Sequence, residues 1–186
     1  MGQIFHSKIQ IETGFYIILG LSVLCIPLPW IIGWLVAVLV HEFFHYIALR
    51  LYKIPVFYIK LGACGADMSA GDMTTQQEII CALAGPFGSF VLLLLFRIFP
   101  YVALCALGQL LFNFLPIYPL DGGRVLAGIC TLLFGDAKGA DLSKRISFIF
   151  IFILFCFSLQ LTISFHLGIF PILAIVIILI RRIKIP

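Results

Sequence analysis

Within the long apolar run from Trp30 to Leu51, the residues whose types and spacing could do chemistry are His41-Glu42-Phe43-Phe44-His45. Histidines at i and i+4 leave a helix on one face, one turn apart, and two imidazoles so placed can grip a single metal ion. Glu42 lies beside them. In the pattern H-E-x-x-H this carboxylate is the general base rather than a ligand, taking a proton from the water that attacks a peptide carbonyl. The alternative is a pair of satisfied histidines and a paired glutamate in a buried helix. Ionisable groups in an apolar segment are costly and by default functional, which favours the metal site.

A second anomaly lies at Asn113-Phe114-Leu115-Pro116-Ile117-Tyr118-Pro119-Leu120-Asp121-Gly122-Gly123-Arg124. Two prolines and a glycine pair remove donors and helix propensity from an apolar run in which every backbone group needs a partner. Broken backbone at membrane depth survives only inside protein or against a watery cavity, so the break itself marks a site. Asp121 has an ordinary reading as the N-cap of a helix from Gly122 to Phe134. With two histidines supplied and a third protein ligand missing, it is also the candidate carboxylate of a His₂-carboxylate site that keeps one position open for water.

These groups must be carried by membrane helices. Of the chain's residues 63% are hydrophobic and 11% charged, far from the balance of a soluble domain. Apolar runs at about 14–28, 30–51, 79–99, 101–134, 146–164 and 167–183 predict an all-α polytopic membrane protein with about six transmembrane helices, the first and last marginal in length. No A-x-A-like cleavage site follows the first run, which is therefore expected to be retained. Leu24 before Cys25 is too large for lipoprotein processing. His41 should lie about 16 Å below Trp30, and Lys53 about 12 Å beyond His45, at the rise of an α-helix. That places the histidines within the hydrocarbon layer, and water must reach them through a cavity.

Between these helices, Ile54 to Gln77 is more polar. Val56-Phe57-Tyr58-Ile59-Lys60-Leu61 is rich in β-forming residues, with Gly62, Gly65 and Gly71 beyond it. A short hairpin or edge strand at the membrane surface is expected there, with an irregular loop as the alternative. An unpaired edge at Val56–Leu61 could take an extended substrate by strand addition. On the third helix, which opens near Gln77 and Glu78, Gly85, Gly88 and Ser89 keep one face narrow enough for another helix backbone.

The net charge of +4 does not signal nucleic acid, because the basic residues cluster at helix ends. With the N-terminus in the cytoplasm, Lys8, Arg50, Lys53, Lys60, Lys138, Lys144, Arg145, Arg181, Arg182 and Lys184 are cytoplasmic. Only Arg97 then lies near an outer loop, so both termini are expected to be cytoplasmic. The six cysteines show no C-x-x-C pairing, and five lie in apolar runs, so neither a disulfide framework nor a second metal site is implied. The phenylalanines between Phe148 and Phe157 face lipid or pack, and His6 and His166 have no assigned role.

Three motifs resemble those of the site-2 proteases, a family of intramembrane zinc metalloproteases: His41 to His45, Gly85-Pro86, and Asn113 to Gly123 with its N-x-x-P-x-x-P-L-D-G order. The resemblance covers about residues 30–134 and implies a three-helix catalytic core with flanking helices in a single membrane domain, 1–186. It further implies one zinc per chain held by His41, His45 and Asp121, with Glu42 as the base and Asn113 holding substrate or the developing oxyanion. The implied partners are a membrane-associated protein substrate, the lipid bilayer of a bacterial cell membrane, and regulatory membrane proteins. The short length and lack of a PDZ insertion are most similar to the branch containing stage IV sporulation protein FB, which cleaves a sigma-factor precursor. That branch usually carries a C-terminal CBS domain, and none is expected in the sequence up to Pro186. Two other readings remain, an inactive membrane scaffold of the same fold and a metal-binding permease. Glu42, which binds no metal, argues against the first, and the lack of internal repeats against the second.

Overall fold

Prolines open the helix that carries the histidines. Pro27 and Pro29 fall at the cap and in the first turn of α2 (Leu28–Leu51), where an N–H would have no helical partner in any case. The computed structural model describes residues 8–62 and 65–165, which form six helices and three strands. They fall into two compact units, Met1–Asn113 and Phe114–Pro186.

The first unit holds β1 (Lys8–Ile11), α1 (Thr13–Cys25), α2, β2 (Val56–Gly62), β3 (Gly65–Ala70), α3 (Thr75–Leu93) and α4 (Pro100–Asn113). α2 ends in a hydrogen-bonded cap. Lys53 adopts φ 57°, its N–H donates to the Arg50 carbonyl at 3.0 Å, and the Ile54 N–H donates to the Leu49 carbonyl at 2.9 Å. Ile54 and Leu49 are thereby both brought into one buried cluster with Ala48, Val56 and Cys81. α3 opens on a capping box: the Gln77 N–H donates to Thr74 Oγ1 at 3.4 Å and the Thr74 N–H to Gln77 Oε1 at 2.9 Å. A second buried cluster, Ala37, Leu92 and Ala106, ties α2, α3 and α4 together, with Val40, Val102 and Cys105 around it. Near the other end of that contact, Trp30 and Tyr101 meet edge to face at 5.2 Å.

The stretch expected to form a short hairpin or an edge strand is a middle strand. β2 pairs antiparallel with β3 and parallel with β1, in the order β1-β2-β3, with Lys8 opposite Tyr58 and Ile11 opposite Leu61. The pairing comes from four residues ahead of the first helix, a partner too short and too distant in sequence to read from local pattern. A Glu12–Lys60 ion pair at 2.6 Å and a Glu12 N–H donating to the Leu61 carbonyl at 2.8 Å fasten that junction. The edges of the sheet are therefore β1 and β3, and strand addition along β2 is not available.

The second unit holds α5 (Asp121–Phe134) and α6 (Asp136–Phe165), preceded by the irregular stretch 114–120. Two short backbone bonds, Ile117 N–H to the Leu115 carbonyl at 2.7 Å and Leu120 N–H to the Ile117 carbonyl at 2.8 Å, shape this stretch, and Tyr118–Pro119 is cis. The glycine pair has a steric reason. A Cβ at Gly122 would overlap the Phe114 carbonyl, and one at Gly123 the Ile117–Tyr118 peptide, so the stretch lies directly against the first turn of α5. Ile117, Leu120 and Ile151 form the buried cluster there, and Gly139 lets α6 approach the Cys130 carbonyl of α5.

Among the described residues, three helices are long and apolar enough to cross a membrane: Leu28–Leu51, Thr75–Leu93 and Asp136–Ser164. Thr13–Cys25 and Pro100–Asn113 are apolar but shorter. The expected fourth run, 101–134, is two 14-residue helices, α4 and α5, each about 21 Å long at the α-helical rise. The third run ends at Leu93, earlier than its hydropathy suggests, in a turn before Pro100. The run 167–183 lies outside the described residues.

Gly33 shows how tightly α2 and α4 meet, because an added Cβ would lie 2.9 Å from the carbonyl carbon and oxygen of Tyr101. Backbone cannot yield as a flexible side chain can. Gly33→Val is expected to cost about 1–3 kcal/mol, the range for overpacking, and to lower the thermal midpoint of the purified protein; an unchanged midpoint would show that this contact is loose.

Candidate metal centre

On α3, Cys81, Gly85 and Ser89 stand four residues apart and so share one face, and all three are buried. That face lies on His41 and His45 of α2. The His45 Nδ1–H donates to the Cys81 carbonyl at 2.7 Å, and His41 Nδ1 is paired with Ser89 Oγ at 2.9 Å. Each imidazole is thus anchored through Nδ1, and the two Nε2 atoms converge to 3.2 Å, the rings meeting edge to face. Two nitrogens on one tetrahedral zinc, at the usual bond length, would be about 3.3 Å apart. A second-shell partner on the far nitrogen is also what metal-ligating histidines have. The pair therefore fits a zinc ion in spacing, in the nitrogen presented and in support.

Gly85 roofs this pair. A Cβ there would overlap His45 Nε2 and come within 2.6 Å of His41 Nε2. One turn on, Gly88 has the same relation to Phe44, whose ring also meets Phe87 at 5.9 Å. Pro86 sits inside α3 beside this contact and removes one helical hydrogen bond there. The narrow face expected of α3 is present. Its main effect is clearance for the two imidazoles rather than generic helix packing.

The other sequence-predicted residues are placed as follows. Glu42 is partly buried on α2, next to His41 in the chain. Asn113 is the last residue of α4, partly buried. Asp121 is buried, at 7% exposure, as the first residue of α5 in the second unit. Leu120, not Asp121, occupies the N-cap position, so the capping role considered for this carboxylate is displaced by one residue.

Sequence reasoning did not assign Ser89 or the Cys81 carbonyl. For Ser89 a signal existed: Gly85 and Ser89 share the four-residue spacing of His41 and His45, the pattern of two helix faces in register. The Cys81 contact uses a main-chain carbonyl, which leaves no trace in residue type.

No family model matches the chain. It is 27% identical over 163 residues to a zinc metalloprotease of Methanocaldococcus jannaschii, the match covering 78% of this chain and 48% of that protein. It is 29% identical over 181 residues to a provisionally named zinc metalloprotease of Synechocystis sp., again over 78% of this chain and 48% of the other. The chain spans about half the length of these curated relatives. Among solved structures it is similar to the site-2 protease from Methanocaldococcus jannaschii, with a TM-score of 0.67 and 22% identity over 96% of this chain and 90% of that one. The chain therefore shares that protein's fold.

Gly85→Ala separates metal clearance from helix propensity. In a helix interior alanine is favoured over glycine by about 1 kcal/mol, so on propensity alone the change would stabilise α3. At this position the methyl meets both Nε2 atoms. Zinc affinity of the purified variant is expected to fall by about tenfold or more, the scale of a disturbed ligand shell. Native affinity in Gly85→Ala would contradict this placement of the metal.

Proposed function

We propose that the chain is a zinc-dependent membrane endopeptidase of the site-2 protease type, cutting a peptide bond in or near the transmembrane segment of a membrane-associated protein. The observation that carries this reading is the pair of anchored imidazoles, buried in an apolar helix pair with Nε2 atoms 3.2 Å apart and Glu42 adjacent in the chain. His41 and His45 supply two ligands, and Asp121 supplies the third, one zinc per chain in a His₂-carboxylate set. The burial of Asp121 supports its part, since a buried carboxylate must be held by cations or hydrogen bonds. When bound, the zinc supplies Lewis acidity, polarising the scissile carbonyl and making a water easier to deprotonate.

The chain's own groups do the rest. Glu42 takes the proton from the attacking water and returns it to the leaving amine, so that one carboxylate serves as base and then as acid. Asn113 donates its side-chain amide to the substrate carbonyl and to the negative charge that develops on it. Substrate must arrive extended, because a helix keeps its peptide groups bonded internally. With β2 enclosed between its neighbours, β1 and β3 are, among the described residues, the strands at the edges of the sheet, where an extended peptide could pair.

The basic residues support an orientation with both termini in the cytoplasm, and the same proposal places the chain in a bacterial cell membrane, with a cut near the cytoplasmic boundary that frees a cytosolic product. A sigma-factor precursor or another membrane-tethered regulator fits that description. The resemblance to the stage IV sporulation protein FB branch points the same way, with regulatory membrane proteins as further partners.

Metal content and turnover should separate on substitution. Glu42→Gln is expected to retain zinc while cleavage of a membrane-tethered reporter falls by about 10²- to 10⁴-fold, the contribution of a general base. Asp121→Ala is expected to lose zinc and cleavage together. Native-rate cleavage by Glu42→Gln would overturn the mechanism, and tight zinc in Asp121→Ala would assign the third ligand elsewhere.

A further inference from the structure

The two histidines are not held alike. A backbone carbonyl only accepts, so the Cys81 carbonyl fixes the proton of His45 on Nδ1 and leaves a lone pair on its Nε2. His41 instead faces a hydroxyl, which can accept or donate, and both partners are buried, Ser89 at 0% and His41 at 2% exposure. With no cation between the rings, a His41 proton on Nε2 spans the 3.2 Å to the His45 lone pair, while Ser89 donates to Nδ1. With a cation held by both Nε2 atoms, the His41 proton must sit on Nδ1 and Ser89 must accept it.

We infer that Ser89 is a positioning residue, whose hydroxyl rotates to serve His41 in both tautomers and so lets that ring present Nε2 to a metal without leaving a buried nitrogen unpartnered. The inference rests on reading the histidine pair as zinc ligands. In the exchange the ring gives up the proton on Nε2 and takes one on Nδ1. An imidazole bound to a cation is the stronger donor through its other nitrogen, so the hydroxyl contributes more to the metal-bound form than to the metal-free one. Its removal should therefore weaken metal binding while leaving the metal-free fold nearly as stable.

The test is a competition titration with zinc and a chelating indicator on the purified full chain, alongside the thermal midpoint of each metal-free variant. Ser89→Ala and Ser89→Gly both remove the hydroxyl and should weaken zinc binding by about 10- to 100-fold, the effect of losing a ligand's outer partner. Leu92→Ala disturbs buried packing between α3 and α2 away from the imidazoles, and should bind zinc as the native chain does. Native affinity in either Ser89 variant overturns the inference, as does an equal loss in Leu92→Ala. Nitrogen-15 spectra of histidine-labelled protein add a direct readout: the His41 proton should reside on Nε2 without metal and on Nδ1 with zinc. A proton on Nδ1 in both states would remove the exchange. Failure of the underlying metal site would look different, with His45→Ala binding zinc as tightly as the native chain.

Discussion

Turning two imidazole Nε2 atoms toward one point inside an apolar helix pair is the demand on which the first unit depends. Each ring has a second nitrogen that cannot be left bare in hydrocarbon, so the facing helix must offer partners at the right height. The Cys81 carbonyl and the Ser89 hydroxyl do so from two positions eight residues apart on α3, matched to the four-residue step on α2. Between them the facing helix must carry almost nothing, and Gly85 is that gap. The capping box at Thr74 and the clusters around Ala48 and Ala37 then have a common purpose, since each fixes the height of α3 against α2.

In the second unit the governing constraint is backbone rather than side chain. Pro116 and Pro119 cannot donate, and the stretch 114–120 closes on itself through short local bonds instead of a helical ladder. Gly122 and Gly123 let that stretch rest directly on the start of α5, and Ile117 and Leu120 bury themselves against Ile151 of α6. The result is a fixed, buried carboxylate at the first residue of α5. A longer side chain at either glycine would push the stretch away and move Asp121 with it.

Much of this could be read from residue types. His41 and His45 announce themselves by their spacing, and the break before α5 by its prolines and glycines, because ligand geometry and missing donors are local properties. What stayed hidden was pairing across sequence distance. Lys8–Ile11 gives no sign that it will lie beside Tyr58–Leu61, so β2 reads as an edge when it is the centre of its sheet. Hydropathy likewise merges α4 and α5 into one run, since it records apolarity but not the loss of hydrogen bonds at Pro116 and Pro119. Gly85 was legible as a small residue, and only the facing helix shows what its smallness is for.

The proposed zinc site draws on two imidazoles and a carboxylate, in a chain that also contains six cysteines able to compete for the ion. X-ray absorption spectroscopy of the purified, zinc-loaded protein tests this most directly. Two imidazoles and a carboxylate should give a first shell of nitrogen and oxygen at about 2.0–2.1 Å, with the outer-shell scattering of two imidazoles. A zinc–sulfur shell at about 2.3 Å, or scattering from fewer than two imidazoles, would contradict it.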